Sequence, residues 1–423
     1  MWRRYDCCLA MAKILISFLG TGRVDGKDKS KRRYEPTTYK LGEYSGDYTF
    51  MAKMLAEKEC VDTVFLIGTR HSMWEEVYYS FSEKNVDEEK LWEIAKDCDA
   101  ANSKTSLDFP YKTEIENAVS NPELRILMVH YGINEQEIKE NIEIVLGIVE
   151  HLRDNDEIIV DITHSFRSIP LIIMNLLFYL RTLRNPKVTI SHIYYGMLEV
   201  TRELGYTPVV DLKSALEITD WTLGAYSFHQ FGISDQICGL VTDKEVSSSL
   251  ERFSSLLSLN FLEPLEKEAQ RLSGLKNHKY DSLLESMTVK PVVEDFVKTF
   301  GGEKVHYAFQ YKLAKWQFDK FNFLASMTTL LEATVTYACE VNGLDWRDYD
   351  SRNYCKEMLR KGRGETGVVL DQDLLAVYNA INGKRNNLVH QNATSKNSSY
   401  EVYVKAIKDN LKVFGRLVKA RGV

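Results

Sequence analysis

One stretch of the sequence, residues 157–170 (EIIVDITHSFRSIP), combines a strand end with side chains that could bind an anion. Its apolar, β-branched start at residues 158–160 is typical of a buried strand in a parallel sheet. Six polar residues follow before the next helical pattern: Asp161, Thr163, His164, Ser165, Arg167 and Ser168. Capping of an ordinary strand–helix turn needs fewer polar groups than these. Because helix-start N–H groups, an imidazole and a guanidinium all favour negative charge, the stretch predicts an anion-binding site.

Two earlier strand patterns end in small and polar residues of the same kind. The residues after the first strand pattern are Gly20, Thr21, Gly22 and Arg23, and those after the second are Gly68, Thr69, Arg70, His71 and Ser72. The first turn lacks the third glycine of the dinucleotide-binding fingerprint, which disfavours a nucleotide dehydrogenase. A basic segment at residues 23–33 (RVDGKDKSKRR) then fits either a solvated hairpin tip or a lid over an anion.

The elements that must position these loops alternate between strand and helix. Strand patterns cover residues 13–19, 62–67, 124–130, 158–160 and 188–195, and helical patterns cover residues 47–59, 73–84, 87–99 and 171–180. Asn134, with Glu137 three residues later, resembles a capping box at the start of another helix. This alternation predicts a Rossmann-like α/β domain with a parallel, right-handedly connected sheet that ends near residue 210.

From residue 211 onward the strand signals disappear. Residues 211–305 predict an all-α connector, and residues 306–423 predict a second all-α domain. The helical patterns cover residues 246–273, 280–300, 308–340, 374–381 and 400–416, with expected breaks at Asn342-Gly343 and Asn382-Gly383. Glu332 lies in the apolar half of one of them, where we expect it to be a structural partner.

Composition sets further bounds on the classes of protein that are possible. A chain of 423 residues predicts two or three domains, and a net charge of −6 argues against an evenly basic surface for nucleic acid. The seven scattered cysteines include no C-x-x-C pair, so neither a zinc site nor a disulfide framework is indicated, and a cytoplasmic protein is expected. No apolar run is long enough to cross a bilayer. Residues 1–10 are treated as an extension of unknown role.

Two motifs that lie far apart in the chain resemble the signatures of two known families. Residues 161–165 (DITHS) resemble the Asp-x-Thr-His-Gly motif of CRISPR-associated Rossmann-fold (CARF) proteins, with Ser165 in place of glycine. Residues 385–390 (RNNLVH) resemble the Arg-x(4–6)-His motif of HEPN ribonucleases. In this order they resemble the ancillary ribonucleases of type III CRISPR antiviral defence, and the resemblance covers nearly the whole chain from Met11.

The resemblance implies a CARF domain at residues 11–210 and a HEPN domain at residues 306–423. Family CARF domains pair as homodimers and bind a cyclic oligoadenylate across the two-fold axis, so a homodimer or higher oligomer is expected here. Cyclic tetra-adenylate is the family-based expectation for this allosteric activator, and no cofactor is implied. The matching binding residues are Gly20, Thr21, Gly22, Arg23, Gly68, Thr69, Arg70, Ser72, Asp161, Thr163, His164, Ser165 and Arg167.

The HEPN resemblance implies a metal-independent endoribonuclease, in which the 2′-OH of single-stranded RNA attacks the adjacent phosphate. His390 would transfer protons, Arg385 would stabilise the developing charge, and Asn386 would orient either group or bind RNA. Residues five apart on a regular helix lie roughly 140° apart around its axis. The pair therefore needs an irregular helix or a composite site made by two chains, and the family uses a dimeric site.

Two alternatives stay open at this point. The CARF half could also degrade its own activator, with His164 and Ser165 as candidate residues. The chain could instead be a ligand-responsive regulator that binds RNA without cleaving it, although the intact Arg385 and His390 pair argues against that class.

Overall fold

A computed structural model describes residues 11–24, 32–82, 86–164, 168–183, 185–300, 303, 305–363, 371–389 and 399–422. The chain divides into two compact units, Met1–Glu217 and Ile218–Val423. Within the described ranges, no helix is both long enough and apolar enough to cross a membrane.

The described residues of the first unit form an eight-stranded sheet and a separate two-stranded ribbon. The strands are β1 (Lys13–Leu19), β2 (Arg23–Val24), β3 (Arg32–Arg33), β4 (Thr37–Leu41), β5 (Tyr44–Tyr48), β6 (Thr63–Gly68), β7 (Glu123–Met128), β8 (Glu157–Asp161), β9 (Thr189–Gly196) and β10 (Thr207–Asp211). The sheet order is β5-β4-β10-β9-β8-β1-β6-β7, and β2 pairs with β3 in the ribbon. Strands β9, β8, β1, β6 and β7 are all parallel, which confirms the predicted α/β class.

Helices cover both faces of this sheet. They are α1 (Met51–Glu59), α2 (Trp74–Phe81), α3 (Glu88–Ala100), α4 (Lys112–Ala118), α5 (Glu135–Leu146), α6 (Ser168–Leu183) and α7 (Thr201–Leu204), with 3₁₀ turns at Gly147–His151 and Leu198–Val200. Alternate residues of β1 enter two different cores: Leu15 and Leu19 enter one, and Ile14, Ile16 and Phe18 enter the other. A strand buried on both faces explains why its sequence is continuously apolar.

The order of the strands creates a switch point beside β1. The chain runs from β1 outward to β6 and β7, and then returns to the other side of β1 through β8 and β9. The carboxyl ends of the neighbouring parallel strands β1 and β8 therefore carry loops that leave the sheet at the same edge. In open α/β sheets this crevice is where ligands bind.

The second unit is helical in its described residues, as expected. Its helices are α8 (Ala215–Phe231, which begins in the first unit), α9 (Asp235–Cys238), α10 (Lys244–Ser258), α11 (Leu262–Gly274), α12 (Leu283–Phe300), α13 (His306–Asp319), α14 (Phe323–Val341), α15 (Tyr349–Lys361), α16 (Gln372–Val389) and α17 (Tyr400–Ala420), with a 3₁₀ turn at Leu275–Asn277. Two apolar cores fill the unit, and α13 contributes to both, through Phe309 and Leu313 on one side and Tyr307 and Ala314 on the other.

The prediction of a helix from residue 47 is wrong at its start. Residues 44–48 form β5, which pairs antiparallel with β4 around a turn at Gly42, and the helix begins at Met51. Strands β4, β5 and β10 escaped prediction because they lie towards one edge of the sheet, where polar and half-exposed residues interrupt the apolar pattern.

Two long helical patterns are each divided into two helices. Residues 308–340 form α13 and α14, separated at Phe321, whose φ is +61°. Residues 246–273 form α10 and α11, separated at Asn260, whose φ is +52°. The Asn260 side-chain oxygen accepts hydrogen bonds from Gln317 Nε2 (2.9 Å) and Thr329 Oγ1 (2.8 Å), so a tertiary contact stabilises the second turn. Helical periodicity does not encode such a contact.

The predicted break at Asn382-Gly383 does not occur. Helix α16 continues through both residues to Val389, so Arg385 and Asn386 lie within a helix. A β-carbon at position 383 would meet no neighbouring atom within 4 Å. No close approach therefore requires glycine there, and propensity alone is too weak to end the helix.

Candidate functional site

A cavity of about 560 Å³ opens at the switch point of the sheet. One side, called here the near wall, consists of Gly20, Thr21, Gly22, Thr163 and His164, from the loops that follow β1 and β8. These two loops lie against each other, since a β-carbon at Gly20 would lie 3.7 Å from the His164 carbonyl oxygen. The structure thus brings together two of the three strand-end loops that the sequence singled out.

Asp161 shapes the near wall from behind. Its side chain is completely buried, and it accepts hydrogen bonds from Ser17 Oγ (2.6 Å) on β1 and from the Thr163 backbone N–H (2.9 Å). Burial raises the pKa of Asp161, and the hydrogen bonds from Ser17 and Thr163 oppose that rise. Asp161 is therefore absent from the cavity lining and acts as a support for the loop.

Thr163 connects the ends of β8 and β9. Its Oγ1 accepts a hydrogen bond of 2.8 Å from the Gly196 backbone N–H. A β-carbon at Gly196 would lie only 3.2 Å from atoms of both Thr163 and Tyr39, so the close approach favours glycine.

Three uncharged aromatic rings form one part of the cavity. The His164 ring lies 4.9 Å from that of Tyr34, and its Nε2 is 3.4 Å from the Tyr39 hydroxyl. Burial lowers the pKa of His164 to about 4, so the imidazole is neutral at pH 7. Burial also raises the pKa of both tyrosines, which keeps their hydroxyls protonated. The Tyr34 hydroxyl accepts the Gly20 N–H at 2.8 Å, so this N–H is not available to a ligand.

The opposite side of the cavity, called here the far wall, consists of Thr37, Glu199, Thr201 and Arg202. The Tyr195 hydroxyl donates to Glu199 Oε1 at 2.6 Å, and this bond lowers the pKa of Glu199, so the carboxylate is ionised at neutral pH. The wall therefore offers a fixed carboxylate beside an exposed guanidinium.

The basic segment starts and ends at the rim of the cavity. Gly22 and Tyr34 both line the cavity, and Arg23 pairs with Arg33 between β2 and β3. The paired strands β2 and β3 are thereby established, while residues 25–31 and the Arg23 side chain lie outside the described part of the chain. A segment with this composition favours an anionic ligand.

The loop after β6 supports the near wall from the side. Ser72 Oγ donates to the Leu19 carbonyl at 2.7 Å, and the Met73 N–H donates to the Gly20 carbonyl at 3.1 Å. Thr69 accompanies Ser72 in this turn through its N–H, which donates to Ser72 Oγ at 3.0 Å. None of Gly68, Thr69, Arg70 and Ser72 is in the lining of the cavity described above, so direct binding by these four stays a prediction.

Arg70 is held by internal partners. Its guanidinium bonds Asp97 at 2.7 Å and 2.8 Å, donates to the Asp108 carbonyl and lies over the Phe109 ring. The residue is only 7% exposed, and its donors point at these groups. Its contacts are those of a structural ion pair that fixes α3 against the loop after β6.

Part of the cavity was missed by sequence reasoning. Thr37 and Tyr39 on β4, and Tyr34 shortly before it, gave no signal because β4 was not recognised as a strand. Glu199, Thr201 and Arg202 did carry a usable signal, since they follow Gly196 at the end of the parallel strand β9, where polar residues are again concentrated.

Arg385 and Asn386 lie on α16 in the second unit. Arg385 is half-buried and donates through Nη1 to Asn386 Oδ1 at 3.1 Å. Its Nε atom is buried without a hydrogen-bond partner, and within the described ranges no carboxylate pairs with this guanidinium. Glu332, by contrast, pairs with Arg352, in keeping with the structural role expected for it. His390, Ser165 and Arg167 lie outside the described residues.

No group of three or more His, Cys, Asp or Glu side chains among the described residues has an arrangement that could hold a metal ion.

Comparisons with known proteins connect both units to CRISPR systems. Residues 14–199 match the model of the CARF domain of the CRISPR system endoribonuclease Csx1, and residues 217–304 match the second domain of the CRISPR-associated protein MJ1674. The chain is 32% identical to CRISPR-associated protein MJ1674 of Methanocaldococcus jannaschii over 414 residues, which is 92% of this chain and 64% of that protein. The chain thus spans less than two thirds of this relative's length.

A solved structure of Enterococcus italicus Csm6 bound to cyclic hexa-2′-fluoro-hexa-dAMP also matches. The match covers 97% of this chain and 94% of the Csm6 chain, with 11% sequence identity and a TM-score of 0.40.

The Arg70 ion pair predicts an effect on stability. Replacement Asp97→Asn leaves a buried guanidinium without its counter-charge and should lower the free energy of unfolding by about 2 kcal/mol. Chemical denaturation measures the change. Glu89→Gln, at an exposed carboxylate of the same helix, is the matched control and should change stability by less than about 0.5 kcal/mol. Equal effects of the two variants would contradict the structural role of Arg70.

The neutral, half-buried imidazole of His164 predicts a pH dependence. Its pKa lies near 4 in the folded state and near 6.5 in the unfolded state, so the unfolded state binds more protons between these values. Stability should therefore fall as the pH falls through this range, by about 2 kcal/mol between pH 7 and pH 5 for this group. His164→Gln should lose that much less stability than the wild type over the same interval. The same loss in both proteins would show that His164 is not buried in its neutral form.

Proposed function

We propose that the chain is a CRISPR-associated protein of the Csx1/MJ1674 type with a CARF domain, and that it is an endoribonuclease activated by a cyclic oligoadenylate. The observation that carries the proposal is the cavity at the carboxyl ends of β1 and β8, with its three uncharged aromatic rings and the basic segment that starts and ends at its rim. The relative MJ1674 and the Csx1 model support the CRISPR context of this cavity.

The cavity has the chemistry that an oligoadenylate requires. Adenine bases stack on aromatic rings, and Tyr34, Tyr39 and His164 supply three such rings without a competing positive charge. The phosphates would lie towards the basic segment, where Lys and Arg side chains favour them. Ser165 and Arg167, which follow the near wall in the sequence, are proposed as further contacts.

The size of the cavity favours a ligand that two chains share. A volume of about 560 Å³ is that of a site for one drug-sized molecule, which is smaller than a ring of four nucleotides. We therefore propose that two chains form a homodimer and that each chain holds part of a cyclic tetra-adenylate ring. A two-fold ligand matches the symmetry of an isologous interface.

Residues 306–423 are proposed as the ribonuclease domain, of the HEPN type. Support comes from the half-buried guanidinium of Arg385, which has no carboxylate partner among the described residues and so is free to stabilise a phosphorane. Its neighbour Asn386 holds one end of that guanidinium. His390 follows the described end of α16 and would transfer protons during attack by the RNA 2′-OH. Metal ions have no role in this mechanism.

Ligand binding would act on the ribonuclease site by shifting a population. For this shift, the cyclic oligoadenylate must bind more tightly to the dimer state in which the nuclease residues have a competent geometry than to the inactive state. By linkage, RNA that binds the competent state must in turn tighten the binding of the activator.

Cleavage of a fluorescent single-stranded RNA in EDTA tests this function. The proposal expects cleavage with cyclic tetra-adenylate and little with cyclic tri-adenylate, cyclic hexa-adenylate or no ring. Direct titration of the same rings separates the two halves of the proposal. A protein that binds one ring yet leaves RNA intact would be a ligand-responsive regulator, and binding of none would overturn the ligand assignment.

Arg385→Ala and His390→Ala test the catalytic assignment. Each variant should lower the activated cleavage rate by about 100-fold or more, because each removes either charge stabilisation or proton transfer in the transition state. Lys384→Ala is the matched control, since it removes a neighbouring cation from the same helix and should retain most of the activity. All three should bind the activator as the wild type does. Normal cleavage by Arg385→Ala would refute the proposed site.

A further inference from the structure

The far wall of the cavity contains a chain of three hydroxyl groups. Thr37 Oγ1 lies 2.8 Å from Thr207 Oγ1, and Thr201 Oγ1 lies 2.7 Å from the same atom. Thr37 and Thr201 line the cavity and are half-buried, whereas Thr207 is completely buried behind them. Thr207 therefore determines where both cavity hydroxyls lie.

The backbone around Thr207 is fixed by the sheet. Strand β10 pairs with β4 through Thr207 and Pro208, and it pairs with β9 through Val209 and Gly196. A further backbone hydrogen bond of 2.9 Å joins the Met197 N–H to the Pro208 carbonyl. The buried hydroxyl thus belongs to a rigid element, which is what a preorganised binding site requires.

The number of protons determines what the three linked hydroxyls present to a ligand. Three hydroxyls carry three protons, and the two internal bonds use two of them. If Thr37 and Thr201 both donated to Thr207, the Thr207 proton would be buried without an acceptor, which is costly, and the described residues offer it no other. One cavity hydroxyl must therefore donate to Thr207 while the other points its proton into the cavity. Thr37 and Thr201 together offer a ligand one hydrogen-bond acceptor and one donor. Which of the two is the donor can reverse, because the Thr207 hydroxyl can donate to either one.

This pattern suits a nucleoside better than a phosphate. A phosphate oxygen is only an acceptor and would use half of the pair, whereas an adenine edge or a ribose hydroxyl has both a donor and an acceptor. Glu199 and Arg202 on the same wall repeat the combination with a carboxylate and a guanidinium. The near wall, beside the basic segment, is the better place for phosphate.

We propose that the far wall is a second subsite, which reads a donor–acceptor edge of a nucleoside, and that Thr207 is the positioning residue that orders it. The inference rests on the proposed function, because it takes a cyclic oligoadenylate as the ligand. It assigns to Thr37, Thr201 and Arg202 direct contacts with the nucleoside, and to Thr207 an effect that acts only through its neighbours.

Calorimetric titration of the full chain with cyclic tetra-adenylate tests the positioning role. Thr207→Val keeps the shape of the side chain but removes the hydroxyl, and it should weaken binding about tenfold through one lost ordered hydrogen bond. Thr207→Ser restores the hydroxyl and should bind within about twofold of the wild type. Unchanged binding by Thr207→Val would overturn the inference.

A second variant keeps the inference testable if Thr207→Val does not fold. Thr201→Val removes a hydroxyl at the cavity surface, leaves the buried hydroxyl in place and should produce a comparable loss of affinity. If Thr207→Val does not fold, normal binding by Thr201→Val overturns the proposal. A wild type that binds no ring removes the proposed function itself, whereas a wild type that binds while both variants bind equally well removes the subsite alone.

Two modified rings distinguish the nucleoside groups that could make this contact. One lacks the adenine 6-amino group, and the other lacks the ribose 2′-hydroxyl. If the far wall contacts the base, the ring without the 6-amino group should bind equally to the wild type and to Thr207→Val. If it contacts the ribose, the ring without the 2′-hydroxyl should bind equally to both proteins. A tenfold difference that persists with both rings would exclude a nucleoside edge as the ligand of the far wall.

Discussion

A single buried carboxylate determines the shape of the cavity. Asp161 ends β8 with no exposed surface, and a carboxylate in such a place is tolerated only when hydrogen bonds satisfy it. Its bond to Ser17 joins β8 to β1, and its bond to the Thr163 N–H fixes the start of the loop after β8. That loop directs His164 towards Tyr34 and Tyr39 and lets Thr163 reach Gly196. The near wall therefore depends on the hydrogen bonds of a buried carboxylate that is not itself part of the cavity lining.

The central parallel strands and their loops could be predicted from the sequence because burial on both faces leaves a continuous apolar run. All five strands of the parallel part were anticipated, with β1 at its observed bounds and the other four within two residues at each end. The polar strand ends were a second reliable signal, since Gly20, Thr163 and His164 do meet at the cavity. Both signals are local, because the apolar run and the polar residues at its end lie within a few residues of each other in the sequence.

The edge of the sheet could not be predicted in the same way. Strands β4, β5 and β10 alternate buried and exposed residues, and their pairing joins segments that are far apart in the chain, such as Thr207 with Tyr39. The role of Arg70 was also hidden, because its partners Asp97 and Asp108 come from 27 and 38 residues away. A cation at a strand end looks the same in sequence whether it contacts a ligand or an internal carboxylate.

The strands that the sequence did not reveal are also the ones that complete the cavity. A purely parallel sheet would offer only the loops after β1 and β8 at the switch point. The antiparallel strand β10 brings a buried hydroxyl to the back of the cavity, and β4, which runs parallel to β10, brings Thr37 and Tyr39. Because neither strand carries the family motif, variation in β4 and β10 can alter the far wall while Asp161 keeps the near wall unchanged. The mixed edge of the sheet therefore supplies the far wall, whereas the loops after the parallel strands β1 and β8 supply the near wall.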